Sequence, residues 1–245
     1  MSAIIHCSGV WKRYGKSARG IKELLIGSRK IVESRYSREW ALQDVNFEVK
    51  RGESFGVVGH NGTGKSTLLS LLLGTMQPDR GNIRIDGRVA SLLELGAGFH
   101  PELSGRENIF LYGSILGMTL AEIRKHFDSI VAFSELESAI ESPIRTYSSG
   151  MIARLGFSTI IHTPVDVLLI DEVLAVGDSH FKTKCQDFLH DFKERQGTLV
   201  IVSHELQTLE DMCTTGMCMN LGQIVKIGDI AGVIKHYGAL MNSCG

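Results

Sequence analysis

The sequence predicts an α/β fold in which a helical subdomain is inserted into a core of alternating strands and helices. Apolar, strand-like segments alternate with helix-like segments along most of the 245 residues, but the stretch from about 102 to 163 is mostly helix-like. Glycine is abundant (27 residues) and proline scarce (4), which suits tight turns and loops that approach a ligand closely. We therefore expect a single domain over 1–245, with a core at about 1–93 and 164–245 and a helical subdomain at about 94–163.

Each element is predicted from the spacing of its apolar residues, at a period of two for strands and 3.6 for helices. The predicted strands are Ile4–Val10, Val45–Val49, Ser54–Val58, Ile83–Ile85, Val165–Ile170, Thr198–Val202, Met217–Leu221 and Gln223–Ile227. The predicted helices are Ser66–Leu73, Arg106–Leu116, Leu120–Phe133, Ser149–Ile161 and Ile230–Met241.

Composition and charge argue against several classes of protein. The 26 Lys and Arg nearly balance the 27 Asp and Glu, which disfavours a nucleic-acid binder because binding to phosphate backbones usually needs a basic excess. The longest apolar run, Leu68–Leu73, is interrupted by Ser70 and is too short to span a bilayer. Five cysteines without a CxxC pair, and no secretion signal, predict reduced thiols in a cytoplasmic protein.

A glycine-rich segment fits the pattern G-x-x-x-x-G-K-[ST], with an apolar strand before it and a helix after it. Its residues are Gly59, His60, Asn61, Gly62, Thr63, Gly64, Lys65 and Ser66. Such a loop turns its backbone N–H groups toward phosphate oxygens, and the following helix directs its positive end at the same anion. Lys65 is expected to contact the β- and γ-phosphates, Ser66 to ligate Mg²⁺, and Thr67 to bind nucleotide beside them. The sequence thus predicts a P-loop that binds ATP with Mg²⁺.

Polar residues follow two other apolar strands. Asp171 and Glu172 end the strand that begins at Val167, and His204 follows the strand Thr198–Val202. Ligands of parallel sheets bind beyond the carboxyl ends of the strands, where these side chains are expected to emerge. Because side chains alternate along a strand, the two acids are expected to differ in role. Asp171 is expected to hold Mg²⁺, Glu172 to polarise the attacking water, and His204 to stabilise charge on the γ-phosphate.

The segment Tyr147-Ser148-Ser149-Gly150-Met151 precedes a predicted helix, and Ser149 and Gly150 could simply cap that helix. Its position between the P-loop and the Asp171-Glu172 strand indicates more. Taken together, the motifs resemble the nucleotide-binding subunit of an ATP-binding cassette (ABC) transporter over nearly the whole chain. That resemblance implies a P-loop NTPase with a RecA-like core, an antiparallel β subdomain and an inserted helical subdomain, which hydrolyses ATP to drive transport.

The resemblance also implies roles for individual residues. Residues 59–66 are similar to Walker A, 167–172 to Walker B, and 147–151 to the family signature, usually written LSGGQ. Asp178 falls at the D-loop aspartate, His204 at the switch histidine, and Glu94 at the usual glutamine of the γ-phosphate loop. Tyr14 falls where an aromatic residue stacks on adenine, although Trp40 is an alternative. The signature departs from the family pattern because it begins Tyr-Ser-Ser rather than Leu-Ser-Gly.

Four local segments (94–101, 105–108, 147–151 and 175–178) resemble the branch of this family that exports bacterial surface polysaccharides. This branch implies a homodimer bound to a dimeric membrane permease at the cytoplasmic face of the inner membrane, with a polyprenyl-linked glycan as substrate. The chain is most similar to an O-antigen exporter ATPase without the C-terminal carbohydrate-binding domain. Teichoic-acid and capsule export remain alternatives. A soluble ABC-type ATPase is disfavoured because the chain has one cassette and a near-neutral charge.

Residues from about 17 to 38 carry apolar residues at helical spacing, surrounded by basic ones. The apolar residues are Ile21, Leu24, Leu25, Ile31 and Val32, and the basic ones are Arg19, Lys22, Arg29, Lys30, Arg35 and Arg38. A basic amphipathic segment suits an anionic lipid surface or a lipid pyrophosphate. We expect a cytoplasmic gate close to the membrane, the alternative being a helix packed on the cassette's own sheet.

Overall fold

The computed structural model describes residues 2–14, 40–93, 95–171 and 178–243. The predicted gate at 17–38, Glu94 and Glu172 lie outside these residues. The strands are β1 Ala3–Arg13, β2 Trp40–Lys50, β3 Ser54–Gly59, β4 Arg80–Ile85, β5 Val89–Ser91, β6 Val167–Asp171, β7 Thr198–Val202, β8 Thr215–Asn220 and β9 Gln223–Asp229. The α-helices are α1 Lys65–Leu72, α2 Gly105–Ile115, α3 Leu120–Ser134, α4 Ser149–Ile161, α5 Ser179–Glu194, α6 Leu206–Met212 and α7 Ile230–Ser243, with a 3₁₀ turn at Ile144–Thr146.

The strands form two sheets, which confirms the predicted α/β class. A three-stranded antiparallel sheet has the order β2-β1-β4, and a six-stranded sheet has the order β5-β6-β7-β3-β8-β9. Within the larger sheet β5, β6, β7, β3 and β8 are parallel, and β9 pairs antiparallel with β8. Val202 of β7 pairs with Asp171 on one side and Val57 on the other. The ends of β3, β6 and β7 therefore meet at one edge, where the P-loop, Asp171 and His204 emerge.

Both faces of the inner strands β3, β6, β7 and β8 are buried, which explains why these strands are nearly continuous apolar runs. Along β6, Leu168 and Ile170 belong to a hydrophobic cluster shared with α4 and α5, whereas Val167 and Leu169 belong to a cluster shared with α1 and the antiparallel sheet. A third cluster lies among α2, α3 and α4. We refer to residues 95–161 as the helical region.

Helix boundaries follow from capping side chains. Ser104 and Thr119 each accept a hydrogen bond from the backbone N–H three residues later, and the glutamates there (Glu107 and Glu122) bond back to the cap backbone. As a result α2 begins at Gly105, one residue before the predicted start. β5 was not predicted because its three residues are too few to show a period.

The cysteines and the lengths of the helices bear on two expectations from the sequence, reduced thiols and no membrane span. Cys7, Cys185, Cys213 and Cys218 are unpaired and buried, and burial raises the pKa of the first three to about 12. These thiols therefore stay protonated and pack as small apolar groups. No helix in the described part of the chain is long and apolar enough to cross a membrane.

Candidate nucleotide site

The P-loop lies between the end of β3 at Gly59 and the start of α1 at Lys65. Gly64 has a φ of 101°, and a Cβ there would lie 2.5 Å from the carbonyl oxygen of Ala41. Only glycine fits both the left-handed backbone and this close approach. The start of β2 therefore closes one side of the loop.

Lys65 occupies the centre of this loop. Its side chain is buried, and its Nζ donates hydrogen bonds to the carbonyls of Gly59 at 2.6 Å and His60 at 2.9 Å. Thr63 Oγ1 donates to the same His60 carbonyl at 2.8 Å, while the His60 ring lies 6.1 Å from the ring of Tyr237. Desolvation lowers the pKa of Lys65, and the negative charge of Asp171 opposes this shift. The Lys65 ammonium is thus held inside the P-loop, the part of the backbone that is shaped to surround an anion.

A cavity of about 390 Å³ lies beside the loop, at the carboxyl edge of the large sheet. It is lined by Tyr14, Ala41, Asn61, Gly62, Gly64, Lys65, Ser66, Thr67, Asp171 and His204. The volume is within the usual range for small-molecule sites. Ala41 is the lining residue that the sequence analysis missed. Its only signal in the sequence is its place at the start of β2, next to Trp40.

Asp171 and His204 form an electrostatic group with Lys65. Burial raises the pKa of Asp171, whereas Lys65 and His204 act to lower it. Burial also lowers the pKa of His204, with Lys65 acting in the same direction and Asp171 against it. At neutral pH these shifts favour a neutral imidazole facing the cavity.

The donors present fit a magnesium ion bound together with a nucleotide. The Ser66 hydroxyl and the Asp171 carboxylate line the same cavity, and both are hard oxygen ligands of the kind that Mg²⁺ prefers. Mg²⁺ is octahedral, so two protein oxygens leave positions for phosphate and water. Within the described ranges, no group of three or more His, Cys, Asp or Glu side chains is arranged to hold a metal.

The two aromatic candidates for adenine stacking differ in position. Tyr14 lines the cavity, is 59% exposed, and has its hydroxyl 3.0 Å from Thr67 Oγ1. Trp40 packs edge-to-face on Trp11 at 5.2 Å, and the guanidinium of Arg13 lies 5.1 Å from its ring centre. Tyr14 lines the cavity and Trp40 does not, so the geometry favours Tyr14 as the residue that stacks on adenine.

The remaining predicted residues lie elsewhere. Ser148, not Ser149 or Gly150, caps α4, because its Oγ accepts a hydrogen bond from the Met151 N–H at 3.2 Å. Ser149 is exposed at the helix start. Asp178 caps α5 by accepting from the Phe181 N–H at 3.0 Å. Ser149, Gly150 and Asp178 are not among the described residues that line the cavity.

Arg154 of α4 joins three elements, a role that the sequence analysis did not predict. Its guanidinium contacts Glu135 Oε2 at 3.0 Å and Asp178 Oδ2 at 2.5 Å. Glu135, at the end of α3, also accepts from Lys184 of α5 at 2.9 Å. The hydrogen bond from Lys184 is the main reason that the pKa of Glu135 is lowered. The pKa of Asp178 is also lowered, mainly by its hydrogen bond from the Phe181 N–H. In the sequence, the only indication of this role is that a basic residue, Arg154, stands five positions after Ser149.

Comparison with known proteins assigns the chain to a family. The ABC transporter family profile matches residues 42–175, more than half of the chain. The O-antigen export system ATP-binding protein RfbB of Klebsiella pneumoniae is 42% identical over 98% of this chain and 100% of its own length. The teichoic acids export ATP-binding protein TagH of Bacillus anthracis is 38% identical over 95% of this chain but only 41% of its own length.

Solved structures show the same fold at lower sequence identity. The ATP-binding subunit of an ABC transporter superposes with a TM-score of 0.76 at 21% identity, covering 96% of this chain and 93% of the other. A dimeric ATP-binding cassette in a post-hydrolysis state, bound to ADP and Pi, gives 0.71 at 18% identity, covering 92% and 98%. The profile match and the full-length relative, together with the P-loop cavity, show that the chain belongs to the ABC transporter family, as an ATP-hydrolysing subunit.

Proposed function

We propose that this chain hydrolyses ATP to export a polyprenyl-linked surface polysaccharide of the O-antigen type across the cytoplasmic membrane. The observation that carries the ATPase assignment is the convergence of Lys65, Ser66, Asp171 and His204 on one cavity. The polysaccharide is inferred from the full-length similarity to an O-antigen export ATP-binding protein. The chain is placed at the cytoplasmic face of the inner membrane through a permease.

Each residue has a proposed task. The loop N–H groups and Lys65 bind the phosphates, because they combine a positive helix end with a buried ammonium. Tyr14 stacks on the adenine, and Asn61, Thr63 and Thr67 complete the nucleotide contacts. Ser66 and Asp171 hold Mg²⁺, which neutralises phosphate charge when bound. His204 donates to or orients the γ-phosphate, and Glu94 contributes to water positioning.

Glu172 is proposed as the group that polarises the attacking water. It directly follows Asp171, whose side chain lines the cavity, and a carboxylate is a suitable general base for a water molecule. Glu172→Gln should still bind ATP but hydrolyse it about 10²- to 10⁴-fold more slowly, as expected when a positioned general base is lost. Steady-state hydrolysis and equilibrium ATP binding by the purified chain measure the two effects separately. Hydrolysis near the unsubstituted rate would show that Glu172 is not the base.

We further propose that two copies of the chain share each nucleotide. Ser149, Gly150 and Asp178 do not line the cavity of their own subunit, and Ser149 is exposed at the start of α4. The positive end of α4 could therefore face the γ-phosphate held by Lys65 of a second copy. The similarity to a dimeric cassette supports this arrangement. The homodimer is expected to bind a dimeric permease.

Teichoic-acid export is the second candidate, supported by 38% identity to TagH over 95% of this chain. Reconstituting the chain with the permease whose gene lies nearest to its own gene would distinguish O-antigen export from teichoic-acid export. Transport of polyprenyl-linked O-antigen but not of a polyol-phosphate polymer supports the first proposal, and the reverse preference supports the second.

The segment 17–38 remains part of this proposal as a gate near the membrane. Its flanking strands pair directly, because Arg13 of β1 is the register partner of Trp40 of β2, and Tyr14 lines the nucleotide cavity. The described residues on either side of the segment therefore lie in or next to the antiparallel sheet, and Tyr14 is at the cavity. Charge reversal at Arg29, Lys30 and Arg35 should reduce export without changing ATP binding by the isolated subunit. Normal export by that variant would contradict the gate.

A further inference from the structure

Two segments of the helical region, 100–108 and 139–147, run side by side; we call this pair the strap. Four backbone hydrogen bonds join them: Gly105 N–H to Ser142 at 3.1 Å, Arg106 N–H to Ile140 at 2.9 Å, Ile144 N–H to Leu103 at 2.9 Å and Arg145 N–H to Pro101 at 2.9 Å. The first segment lies a few residues after position 94, and the second ends where the signature segment 147–151 begins. The strap thus holds the start of the signature segment against residues 100–108 through backbone contacts.

A buried amide fixes the shape of the first segment. Asn108 is fully buried, and its Oδ1 accepts from the His100 N–H at 2.6 Å. Its Nδ2 donates to the carbonyls of His100, Leu103 and Ser104 at 3.1, 3.0 and 2.8 Å. A buried polar network that is satisfied in this way holds a single backbone conformation. The turn at 100–104 is therefore a rigid support for the second segment.

Tyr147 is the last residue of the strap and directly precedes the α4 cap Ser148. Its side chain is buried, and its hydroxyl donates to the Ala139 carbonyl at 2.6 Å. A Cβ at Gly105 would lie only 2.4 Å from that hydroxyl oxygen. Gly105 therefore provides the space that the tyrosine hydroxyl occupies. A leucine, the usual residue of the family signature, could not make this bond.

We propose that Tyr147 is a positioning residue for ATP hydrolysis, acting through its hydroxyl bond to Ala139 in the space that Gly105 leaves. The bond joins the two ends of the 139–147 segment beside Gly105 and so holds the residue from which the chain enters Ser149 and Gly150. This inference rests on the proposed function, in which Ser149 and Gly150 contact the nucleotide held by a second copy. Tyr147 is not among the residues that line the nucleotide cavity, so its effect is on closure of the shared site and not on binding to Lys65.

The test compares single and double variants of the full chain. Tyr147→Phe removes the hydroxyl and should lower ATP-dependent dimerisation and hydrolysis about 3- to 10-fold, the usual size of one lost hydrogen bond. ATP affinity of the monomer should stay unchanged. Gly105→Ala should lower hydrolysis further, because the new Cβ displaces the hydroxyl. The double variant Gly105→Ala/Tyr147→Phe should recover most of the way to the level of Tyr147→Phe, because the closest clashing oxygen is gone and only the contacts with Ile140 at 3.0 Å remain.

Thr146→Val is the matched control, since it removes a neighbouring hydroxyl whose hydrogen bond reaches only to the Pro143 carbonyl. Its hydrolysis and dimerisation should equal those of the unsubstituted chain. Additive losses in the double variant, or a parallel loss of monomer ATP affinity, would overturn the positioning role. So would unchanged hydrolysis in Tyr147→Phe when the unsubstituted chain hydrolyses ATP. An unsubstituted chain that neither hydrolyses ATP nor dimerises with it would overturn the proposed function as well.

Discussion

At the scale of single residues, the nucleotide cavity is built from groups whose charges depend on one another. Lys65, Asp171 and His204 line the same cavity; Asp171 acts on the pKa of Lys65 and of His204, and both of these act on the pKa of Asp171. Burial disfavours every one of these charges, so a phosphate anion and a cation entering together would restore the balance. The Lys65 ammonium donates to the carbonyls of Gly59 and His60, which hold it inside the loop.

Tyr14 gives the residue-scale prediction. Tyr14→Ala should weaken ATP binding about 10-fold or more, because stacking of a base on an aromatic ring contributes about 1–3 kcal/mol. Tyr14→Phe should bind ATP nearly as well as the unsubstituted chain, since stacking needs the ring and not the hydroxyl bonded to Thr67. Calorimetric titration with ATP measures the affinities.

Trp40→Ala is the control for Tyr14, because the Trp40 ring is engaged by Trp11 and Arg13. We expect its ATP affinity to stay within about twofold. A larger loss in Trp40→Ala than in Tyr14→Ala would reverse the assignment of the adenine-stacking residue.

At the scale of elements, the contact of α3, α4 and α5 depends on Arg154. The guanidinium holds Glu135 with one nitrogen and Asp178 with the other, and it also lies 5.2 Å from the Phe181 ring centre. The Arg154 side chain is only 18% exposed and Glu135 is half-buried, so this pair is less screened than pairs at the surface, whereas the pair with the exposed Asp178 is screened more. The start of α4, which carries the signature, is thereby tied to the start of α5.

The direction in which the stabilising effect of the Arg154 ion pairs changes with pH follows from the carboxyl groups of Glu135 and Asp178. The pKa values of Glu135 and Asp178 are both lowered in the folded chain. Their contribution to stability is therefore present above the ordinary carboxyl pKa values of about 4 and is lost as pH falls through the lowered folded values. Arg154 is one of the smaller causes of both lowered pKa values, so Arg154→Gln should lower the Tm modestly between about pH 6 and 8, and this Tm difference should shrink as the pH falls below about 4.

Arg145→Gln serves as the control for this series. Arg145 pairs with Glu102 at 3.2 Å, but both side chains are more than half exposed, so the loss should be small. A Tm difference for Arg154→Gln that persists unchanged at pH 3 would mean that Arg154 acts by packing on Phe181, a contact that does not titrate.

At the scale of the whole molecule, one subunit presents two separated parts of the proposed nucleotide site. The P-loop, Asp171 and His204 meet at the carboxyl edge of the large sheet, whereas Ser149 and Gly150 stand at the start of α4. The proposed homodimer would bring the second part of one copy to the first part of the other. A closed two-fold dimer makes both sites equivalent.

Mixed dimers test this arrangement. Gly150→Asp places a carboxylate against the triphosphate, and Lys65→Ala removes the phosphate-binding ammonium, so each variant alone should be inactive. A heterodimer of the two would keep one intact site, and random mixing would restore at most about a quarter of full activity. Hydrolysis measured after mixing the purified variants checks this expectation. Full activity of Gly150→Asp alone, or no recovery on mixing, would contradict a site shared in this way.

The sequence alone determined those features that depend on neighbouring residues. The P-loop is contiguous, and the pattern of Gly59–Ser66 follows from the phosphate geometry that it must surround. The alternation of buried strands and helices predicted the α/β class, and the ends of β6 and β7 predicted where Asp171 and His204 emerge. The family resemblance found in these motifs was confirmed by the comparisons. The roles of Glu94, Glu172 and the 17–38 segment stay predictions.

Only the tertiary structure decided the contacts between distant residues. Arg154 and Asp178 are 24 positions apart in the chain, and Ala41 closes the P-loop from another sheet. Gly105 and Tyr147 each match a local motif, yet neither motif indicates that one leaves space for the other's hydroxyl. The short strand β5 forms because it pairs with β6, not because of its own pattern. Local patterns record which face of an element is buried, whereas the partner on that face is fixed only when the elements pack.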